Sequence, residues 1–387
     1  MLSRTGLRRV LVVLCGTEIV SWGVLYYAFS VLSPGITRDT GWSSTWVTAA
    51  FSAGQVTAAL VGIPVGRWLD TWGPRRVMTT GSVLAVPAVL GIAAAPSVPW
   101  FFAAWILAGV AMAAVLYQPA FAALTRWWGQ RRVIALTVVT LAGGLASTVF
   151  APLTAALAGH FDWRHTYVVL ACVLAAVTLP AHLFGLTGHW PAGEVEHHRA
   201  AAPGAVARSR AFVLLAVAMS LAAFAAYAVV VNLVPLLTGR GLSTSIAALA
   251  LGLGGIGQVA GRMGYGRLAA VTSTRARTVL VFGASAVAIA LLAVVPGPTV
   301  LVIALAMVAG ATRGIYTLVQ ATAVSDRWGA AHFGRLNGVL TAPVTLAMSL
   351  APWAGTVLAV WLGGYQHMFL LLAGIGLVAA AIAATTV

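Results

Sequence analysis

Three charged side chains fall inside long apolar stretches, where an ionisable group needs a functional or structural reason. Glu18 lies in the first such stretch, Arg262 in the eighth and Arg313 in the tenth. Arginine or aspartate at the centre of a membrane helix costs about 2.5–3.5 kcal/mol. An arginine offers a planar, permanently charged fork that matches a carboxylate, and burial disfavours the charged form of a carboxyl group. These residue types predict anion binding at Arg262 and Arg313 and proton transfer at Glu18.

Each of the three also has a structural interpretation. Arg262 comes late in its apolar run, so its side chain could extend to the aqueous interface. Arg313 could form an ion pair between helices. Glu18 could form a fixed salt bridge with an arginine, or a hydrogen bond within the amino-terminal half.

The elements that carry these residues are membrane helices. The chain has 387 residues, of which 61% are hydrophobic and 7% charged, and its mean hydropathy is +0.97. Soluble domains carry roughly 25% charged residues, so this chain cannot cover itself with a water-facing surface. Runs of about 20 apolar residues span a bilayer. Such runs lie near 10–32, 45–66, 77–95, 99–124, 133–158, 166–187, 211–237, 245–268, 278–296, 299–323, 337–361 and 367–386.

Charge placement predicts the topology. All 22 basic residues are arginine, the net charge is +15, and most of the arginines lie in short turns between apolar runs. That distribution is typical of membrane proteins and excludes a nucleic-acid binder, whose charge would concentrate on one soluble face or tail. The loops on the opposite side of the membrane hold only Arg38, Arg164 and Arg240. We therefore expect both termini and the central loop to be cytoplasmic, with the arginines facing anionic lipid headgroups.

The two halves of the chain repeat at an offset of 200 residues. Tyr27 matches Tyr227, Gly54 matches Gly254, and Gly66-Arg67 recurs at 266–267. One offset shared across several helices indicates duplication, with a substrate site expected near the midplane. We predict an all-α membrane protein of twelve transmembrane helices in two six-helix bundles. The bundles are 1–187 and 211–387, joined by a cytoplasmic linker, 188–210.

Several polar side chains fall at depths where they could line a cavity. Interhelical hydrogen bonding is the alternative for each of them. Tyr27 and Tyr227 are favoured because they occupy matching positions in the two halves. The full set is Tyr26, Tyr27, Gln55, Tyr117, Gln118, Tyr227, Asn232, Gln258, Tyr316 and Asn337. The substrate-binding candidates among these are Tyr27, Gln118, Tyr227 and Asn232.

A charged motif occupies the turn between the second and third runs. It contains Gly66, Asp70 and Gly73, followed by Arg75 and Arg76. A glycine there lets a neighbouring helix approach closely, and the aspartate can face a helix N-terminus or an arginine. The spacing resembles the signature loop of the major facilitator superfamily, which implies a twelve-helix transporter with this motif as a conformational latch. The second half has Ala270 at the aspartate position, so we expect one strong latch.

Three stretches further resemble the branch of monocarboxylate porters and oxalate/formate exchangers. They are 21–43, 143–167 and 261–266. The resemblance implies that Arg262, just before paired glycines in helix 8, anchors a carboxylate. Oxalate exchangers are expected to carry a lysine in helix 11, and this chain has no lysine. A dicarboxylate is therefore disfavoured unless Arg313 takes that role.

Together these features predict a monomeric secondary transporter of a small organic anion, a monocarboxylate, coupled to protons and working by alternating access. The alternative is a proton-driven exporter of hydrophobic or amphiphilic compounds, and a membrane sensor on the same fold is a more distant one. The sequence shows neither a nucleophile–base pair nor a metal-ligand spacing. We therefore expect that the protein is not an enzyme and that it binds no cofactor or metal. The loops are short, arginine replaces lysine throughout, and no N-glycosylation sequon is present. These features favour a bacterial cytoplasmic membrane.

Overall fold

The computed structural model describes residues 3–188, 190, 203–328 and 333–386. Within these residues the chain is helical and contains no strand. The helices are α1 Arg4–Trp22, α2 Ala28–Thr40, α3 Ser44–Ala93, α4 Val98–Val115, α5 Tyr117–Trp128, α6 Arg132–Gly144, α7 Ala146–Ala158, α8 Trp163–Pro180, α9 Pro203–Ala207, α10 Arg210–Gly239, α11 Thr244–Val271, α12 Thr274–Val294, α13 Thr299–Thr322, α14 Ser325–Trp328, α15 Phe333–Trp361 and α16 Tyr365–Ala384.

The described residues form eleven helical segments long and apolar enough to cross a bilayer. One of them, α3, has 50 residues and bends at Gly73, where φ is 75° and ψ is 169°. Glycine adopts this conformation without the steric penalty that a side chain would impose. The bend separates the two predicted runs 45–66 and 77–95, which makes twelve spans and confirms the predicted fold class.

The chain divides into two compact units, Met1–Val195 and Glu196–Val387. Each unit contains six spans and its own apolar core. Residues 189 and 191–202 of the predicted linker 188–210 lie outside the described residues. The assignment of 188–210 as a cytoplasmic linker remains a prediction.

Three spans of the amino-terminal unit are interrupted, although the sequence predicted continuous runs. A π-helical turn, Gly23–Tyr27, separates α1 from α2. Leu116 is extended between α4 and α5, because Pro119 has no N–H to donate to the carbonyl of Val115. A third break lies at Leu145, after a glycine pair that weakens the helix. Such interruptions occur often at functional sites.

In the carboxy-terminal unit, α11 and α13 pack against each other with unusually small separation. A Cβ on Gly257, Gly261, Gly310 or Gly314 would collide with the backbone of the opposite helix. Small residues let helices in membranes approach this closely. Gly54 and Gly109 join α3 and α4 in the same way, so this contact is duplicated along with the sequence.

Two of the three arginines in the arginine-poor loops cap helix C-termini. Arg164 donates to the carbonyls of Ala93 and Ala95, each at 2.8 Å. Arg240 donates to the carbonyl of Leu292 at 2.8 Å, and burial lowers the pKa of its guanidinium. Free carbonyls at a helix C-terminus favour cations, which gives these two arginines a local structural role.

Candidate functional site

Arg262 and Arg313 lie on facing helices, one helical turn apart. Arg313 Nη2 donates to Gln258 Oε1 at 3.0 Å, and Arg262 Nε donates to Thr317 Oγ1 at 3.3 Å. Both contacts join α11 to α13. Because the partners are spaced by four residues on each helix, the two contacts are about 6 Å apart along the helix axes. The glycine packing therefore brings both arginines to one face of the carboxy-terminal unit's helix pair.

Arg313 carries a buried charge for which the described part of the chain supplies no acidic partner. Its exposed fraction is 6%, and its Nε has no hydrogen-bond partner among the described residues. The interhelical ion pair considered from the sequence is absent from the described residues, and the neutral amide of Gln258 takes its place. Burying an unpaired charge is costly, so this environment favours an anionic ligand. Arg262 is half-buried.

The other two candidates of this unit, Asn232 and Tyr227, lie on α10. Asn232 is buried and uses both amide atoms inside the unit: its Nδ2 donates to the carbonyl of Ala228 at 2.9 Å, and its Oδ1 accepts from Thr356 at 3.0 Å. This geometry favours interhelical bonding over substrate contact. Tyr227 is half-buried and near Tyr316.

Glu18 is fully buried in α1, with an exposed fraction of 0%. Neither carboxyl oxygen has a hydrogen-bond partner of ordinary geometry among the described residues. The indole of Trp22, one helical turn further along, interacts with it at longer range. The fixed salt bridge considered as an alternative is not found among the described residues.

The breaks in the amino-terminal unit converge beside Glu18. The ring of Trp22 lies 5.2 Å from that of Tyr117, which begins α5. Tyr26 lies 5.4 Å from Trp22 and 5.3 Å from Tyr27. The Tyr117 hydroxyl fills the space where a Cβ on Gly143 would stand. Tyr27 thus belongs to an aromatic wall of adjoining rings, of which Trp22 is the member that interacts with Glu18.

Gln118 connects two helices. Its Nε2 donates to the carbonyl of Gly62 at 3.0 Å, and its Oε1 occupies the space of a Cβ on Gly62. A Cβ on Gly66 would meet only Gln118 Nε2, at 3.9 Å, within the described residues. The close approach inside this unit is therefore at Gly62, one turn before the position expected from the motif.

Asp70 of the motif forms an ion pair with Arg126, which is one of the two partners predicted. Trp190 completes this cluster. Its indole N–H donates to the Asp70 carbonyl at 3.2 Å, its ring lies 4.6 Å from the Arg126 guanidinium, and it covers Gly73. No sequence pattern pointed to Trp190, because this residue stands at the start of a polar stretch.

The two basic residues of the motif differ in their surroundings. Arg75 Nε donates to the carbonyl of Leu183 at 2.7 Å, which ties the turn to the end of the sixth span. Arg76 is exposed. Both arginines are exposed, so Arg75 bonds to the unit at its surface and Arg76 is available to headgroups.

The carboxy-terminal unit has an ion pair of its own, at positions that differ from those of the first. Arg277, at the start of α12, contacts Asp326 of α14 at 2.6 Å. The positions 200 residues before Arg277 and Asp326 are Val77 and Arg126. The side chains are 7% and 29% exposed, against 65% for Asp70 and 23% for Arg126. The carboxy-terminal unit thus has an ion pair in this region although Ala270 replaces the aspartate of the motif, and the expectation of one strong latch remains a prediction.

Asp326 also lies near a second arginine, Arg327. Arg327 Nη2 donates to Thr278 Oγ1 at 3.0 Å. Burial lowers the pKa of the Arg327 guanidinium, and the charge of Asp326 opposes that shift. One carboxylate therefore compensates two partly buried guanidinium groups.

This arrangement predicts that Asp326→Asn destabilises the protein more than Asp70→Asn. Loss of the Asp326 charge should cost about 1–3 kcal/mol, because a partly buried charge loses its partner. The Asp70 change should cost about 0–1 kcal/mol, because water can replace an exposed partner. Thermal unfolding of both purified variants measures the difference. Equal shifts in melting temperature would contradict the assignment.

Comparison with known proteins identifies the family. The sequence profile of the Major Facilitator Superfamily matches residues 14–298. The chain belongs to this family. The resemblance predicted from the motif is confirmed, and the family's function in membrane transport confirms that the chain is not an enzyme.

Among curated relatives, monocarboxylate transporter 13 of Bos taurus is 29% identical over 327 residues, which cover 80% of this chain and 75% of that protein. Human monocarboxylate transporter 11 is 29% identical over 64% of this chain and 56% of that protein. An uncharacterized major facilitator transporter of Bacillus subtilis, YcxA, is 27% identical over 39% of this chain. The chain spans 37% of YcxA and just over half of transporter 11.

Solved structures agree on the fold. A bacterial homologue of the human lysosomal transporter Spinster has a TM-score of 0.80 over 100% of this chain and 98% of its own, at 15% identity. A D-xylose–proton symporter has a TM-score of 0.77 over 100% of this chain and 98% of its own, at 14% identity. At these identities the similarity concerns the fold alone.

Proposed function

We propose that this transporter moves a small organic anion, a monocarboxylate, across the membrane together with protons. The observation that carries the proposal is the pair of arginines on facing turns of α11 and α13. One of them is buried and has no acidic partner within the residues that the structure describes. An arginine fork binds a carboxylate through two parallel hydrogen bonds. The similarity to monocarboxylate transporters 13 and 11 supports the same substrate class.

Protons couple through Glu18 in this proposal. A proton on Glu18 and a monocarboxylate on Arg262 leave these three groups without net charge, whereas the anion alone leaves a negative charge and the proton alone leaves a positive one. Lower charge favours the conformational step of alternating access, because charge inside a membrane is costly. Gly66, Asp70, Gly73, Arg75 and Arg76 act as the gating motif.

The remaining assignments concern topology and partners. The distribution of arginines supports a topology in which the termini and the linker lie on the cytoplasmic side of a bacterial cell membrane. The protein functions as a monomer, and its partners are the substrate, protons and anionic lipid headgroups.

An exporter of hydrophobic or amphiphilic compounds is the second candidate. The aromatic wall of Trp22, Tyr26 and Tyr117 favours it, since aromatic faces attract organic cations. The two candidates differ in the charge of the ligand that they bind.

A binding panel separates the two. Ligands that bind the folded state raise its melting temperature. We expect acetate, lactate and pyruvate to stabilise the detergent-purified protein, and tetraphenylphosphonium and ethidium to have no effect. Stabilisation by the cations alone would favour the exporter and overturn the proposal.

A further inference from the structure

A small cavity lies beside Arg313 within the carboxy-terminal unit. Its volume is about 30 Å³, and its walls come from α10, α11, α12 and α13. A cavity of roughly 10–15 Å³ is enough to hold one water molecule. The space therefore suits a water molecule or a monoatomic ion, and it is too small for an organic anion.

The cavity and Arg262 lie on opposite sides of Arg313 along the helix pair. On α11 the cavity is lined by Leu251 and Gly254, which lie toward the helix N-terminus from the contact with Arg313. Arg262 instead donates to Thr317, one helical turn beyond Arg313. An ion in the cavity thus contacts the guanidinium group of Arg313 from the side away from Arg262.

Arg313 brings a permanent charge to this cavity, because its side chain forms part of the lining. That side chain is 6% exposed, and Gln258 is the one hydrogen-bond acceptor that the described residues give it, at 3.0 Å. Its Nε has no partner among those residues. A guanidinium group has five N–H donors, so Gln258 leaves most of this hydrogen-bonding capacity unused.

The carboxy-terminal half of the sequence offers no carboxylate to Arg313. From residue 197 to residue 387 the one acidic residue is Asp326, and its carboxyl group pairs with Arg277 at 2.6 Å. A water molecule in the cavity would solvate the guanidinium group without compensating its charge. Because an uncompensated buried charge is costly, the cavity favours a small anion over water.

Ser285 supplies a second polar group to the cavity. It lies on α12, and the other described lining residues besides Arg313 are alanine, valine, leucine, isoleucine and glycine. A serine hydroxyl can donate a hydrogen bond to an anion. The side chains of the lining thus combine one permanent positive charge with a hydroxyl donor, which is the chemistry that recognises a halide ion.

We propose that the cavity binds a chloride ion through the guanidinium group of Arg313 and the hydroxyl group of Ser285. The inference rests in part on the proposed function, in which one monocarboxylate compensates only one of the two positive charges of Arg262 and Arg313. Chloride compensates the other charge. The substrate and the chloride ion then contact Arg313 from opposite sides.

The test titrates chloride against the melting temperature of the detergent-purified protein, without a carboxylate and with methanesulfonate keeping the ionic strength constant. Methanesulfonate is polyatomic and does not fit the cavity. Because a ligand of the folded state raises its melting temperature, we expect a saturable rise of roughly 2–4 °C. Arg313→Gln should abolish this rise. Arg267→Gln, a change at an exposed position of α11, is the matched control and should retain it.

Ser285→Ala tests the second contact by a change that removes only one hydroxyl group. Loss of one hydrogen bond should weaken the apparent affinity for chloride about three- to tenfold. Ser220→Ala is the matched control, because the Ser220 hydroxyl donates to the carbonyl of Ala216 at 2.8 Å on α10 and does not line the cavity. This variant should bind chloride as the wild type does.

Crystals grown in bromide locate the ion directly, since bromide gives an anomalous diffraction signal. We expect an anomalous peak beside Arg313 and Ser285. A wild-type melting temperature that does not depend on chloride, or a full rise in Arg313→Gln, would overturn the inference and leave the cavity to water. Chloride-dependent stabilisation of a protein that transports no carboxylate would instead overturn the proposed function, so the two failures are distinguishable.

Discussion

Arg262→Gln and Arg313→Gln should each weaken carboxylate transport by at least roughly 30-fold, which corresponds to about 2 kcal/mol or more for the loss of a buried charged partner. Glutamine keeps a hydrogen-bond donor but removes the charge and the fork. Initial uptake rates into proteoliposomes at several substrate concentrations measure the effect. Arg267→Gln, an exposed arginine of the same helix α11, is the matched control and should transport normally.

The double variant of Arg262 and Arg313 makes the same prediction sharper. If both arginines bind one anion, the second substitution should add little once the first has removed binding, since neighbouring residues that act together are not additive. Independent, fully additive losses would contradict a shared site. Normal transport in either single variant would remove that arginine from the site.

Glu18→Gln should abolish accumulation driven by a pH gradient while leaving substrate exchange intact. Glutamine resembles the protonated carboxyl group in shape and charge, so the variant stays in the loaded form and cannot return a proton. The reason to expect a large effect is that Glu18 is fully buried with both carboxyl oxygens unpartnered among the described residues. Uptake with an imposed pH gradient, compared with exchange at equal pH, measures it.

Asp162→Asn is the matched control for this change. The backbone N–H of His165 holds the pKa of Asp162 below its ordinary value, so this exposed carboxyl group stays ionised at neutral pH and cannot carry protons in that range. Its variant should keep pH-driven accumulation. Glu18→Gln proteoliposomes that still concentrate substrate under the gradient would contradict the coupling role.

The sequence predicted the helices well because membrane spans depend on a simple requirement for apolar length. It missed the interruptions at Gly23–Tyr27, Leu116 and Leu145. These depend on local packing as well as composition: Gly23, for example, faces the ring of Phe150 so closely that a Cβ would collide with it. Hydropathy averages over such positions and cannot report them.

The candidate site was only partly predictable. Charge in an apolar run identified Glu18, Arg262 and Arg313, because buried ionisable groups are visible in any hydropathy pattern. Their partners Gln258 and Thr317 depend on the register of α11 against α13. Close contacts between glycines and the opposite backbone set that register. A search for glycines spaced by three or four residues could have suggested that contact.

The second ion pair was missed for a different reason. The comparison of the halves looked at the position of Asp70, where the second half has Ala270. The ion pair of the second half uses Arg277 and Asp326 instead, and the positions 200 residues earlier are Val77 and Arg126. A fixed offset cannot find a pair that lies at different positions in the two halves.

Uptake of radiolabelled lactate by the purified wild-type protein in proteoliposomes, with the outside acidic, tests the central claim most directly. We predict accumulation above the equilibrium level that a protonophore abolishes, beyond that of protein-free liposomes. Uptake equal to that of protein-free liposomes, or unaffected by collapse of the pH gradient, would contradict proton-coupled carboxylate transport.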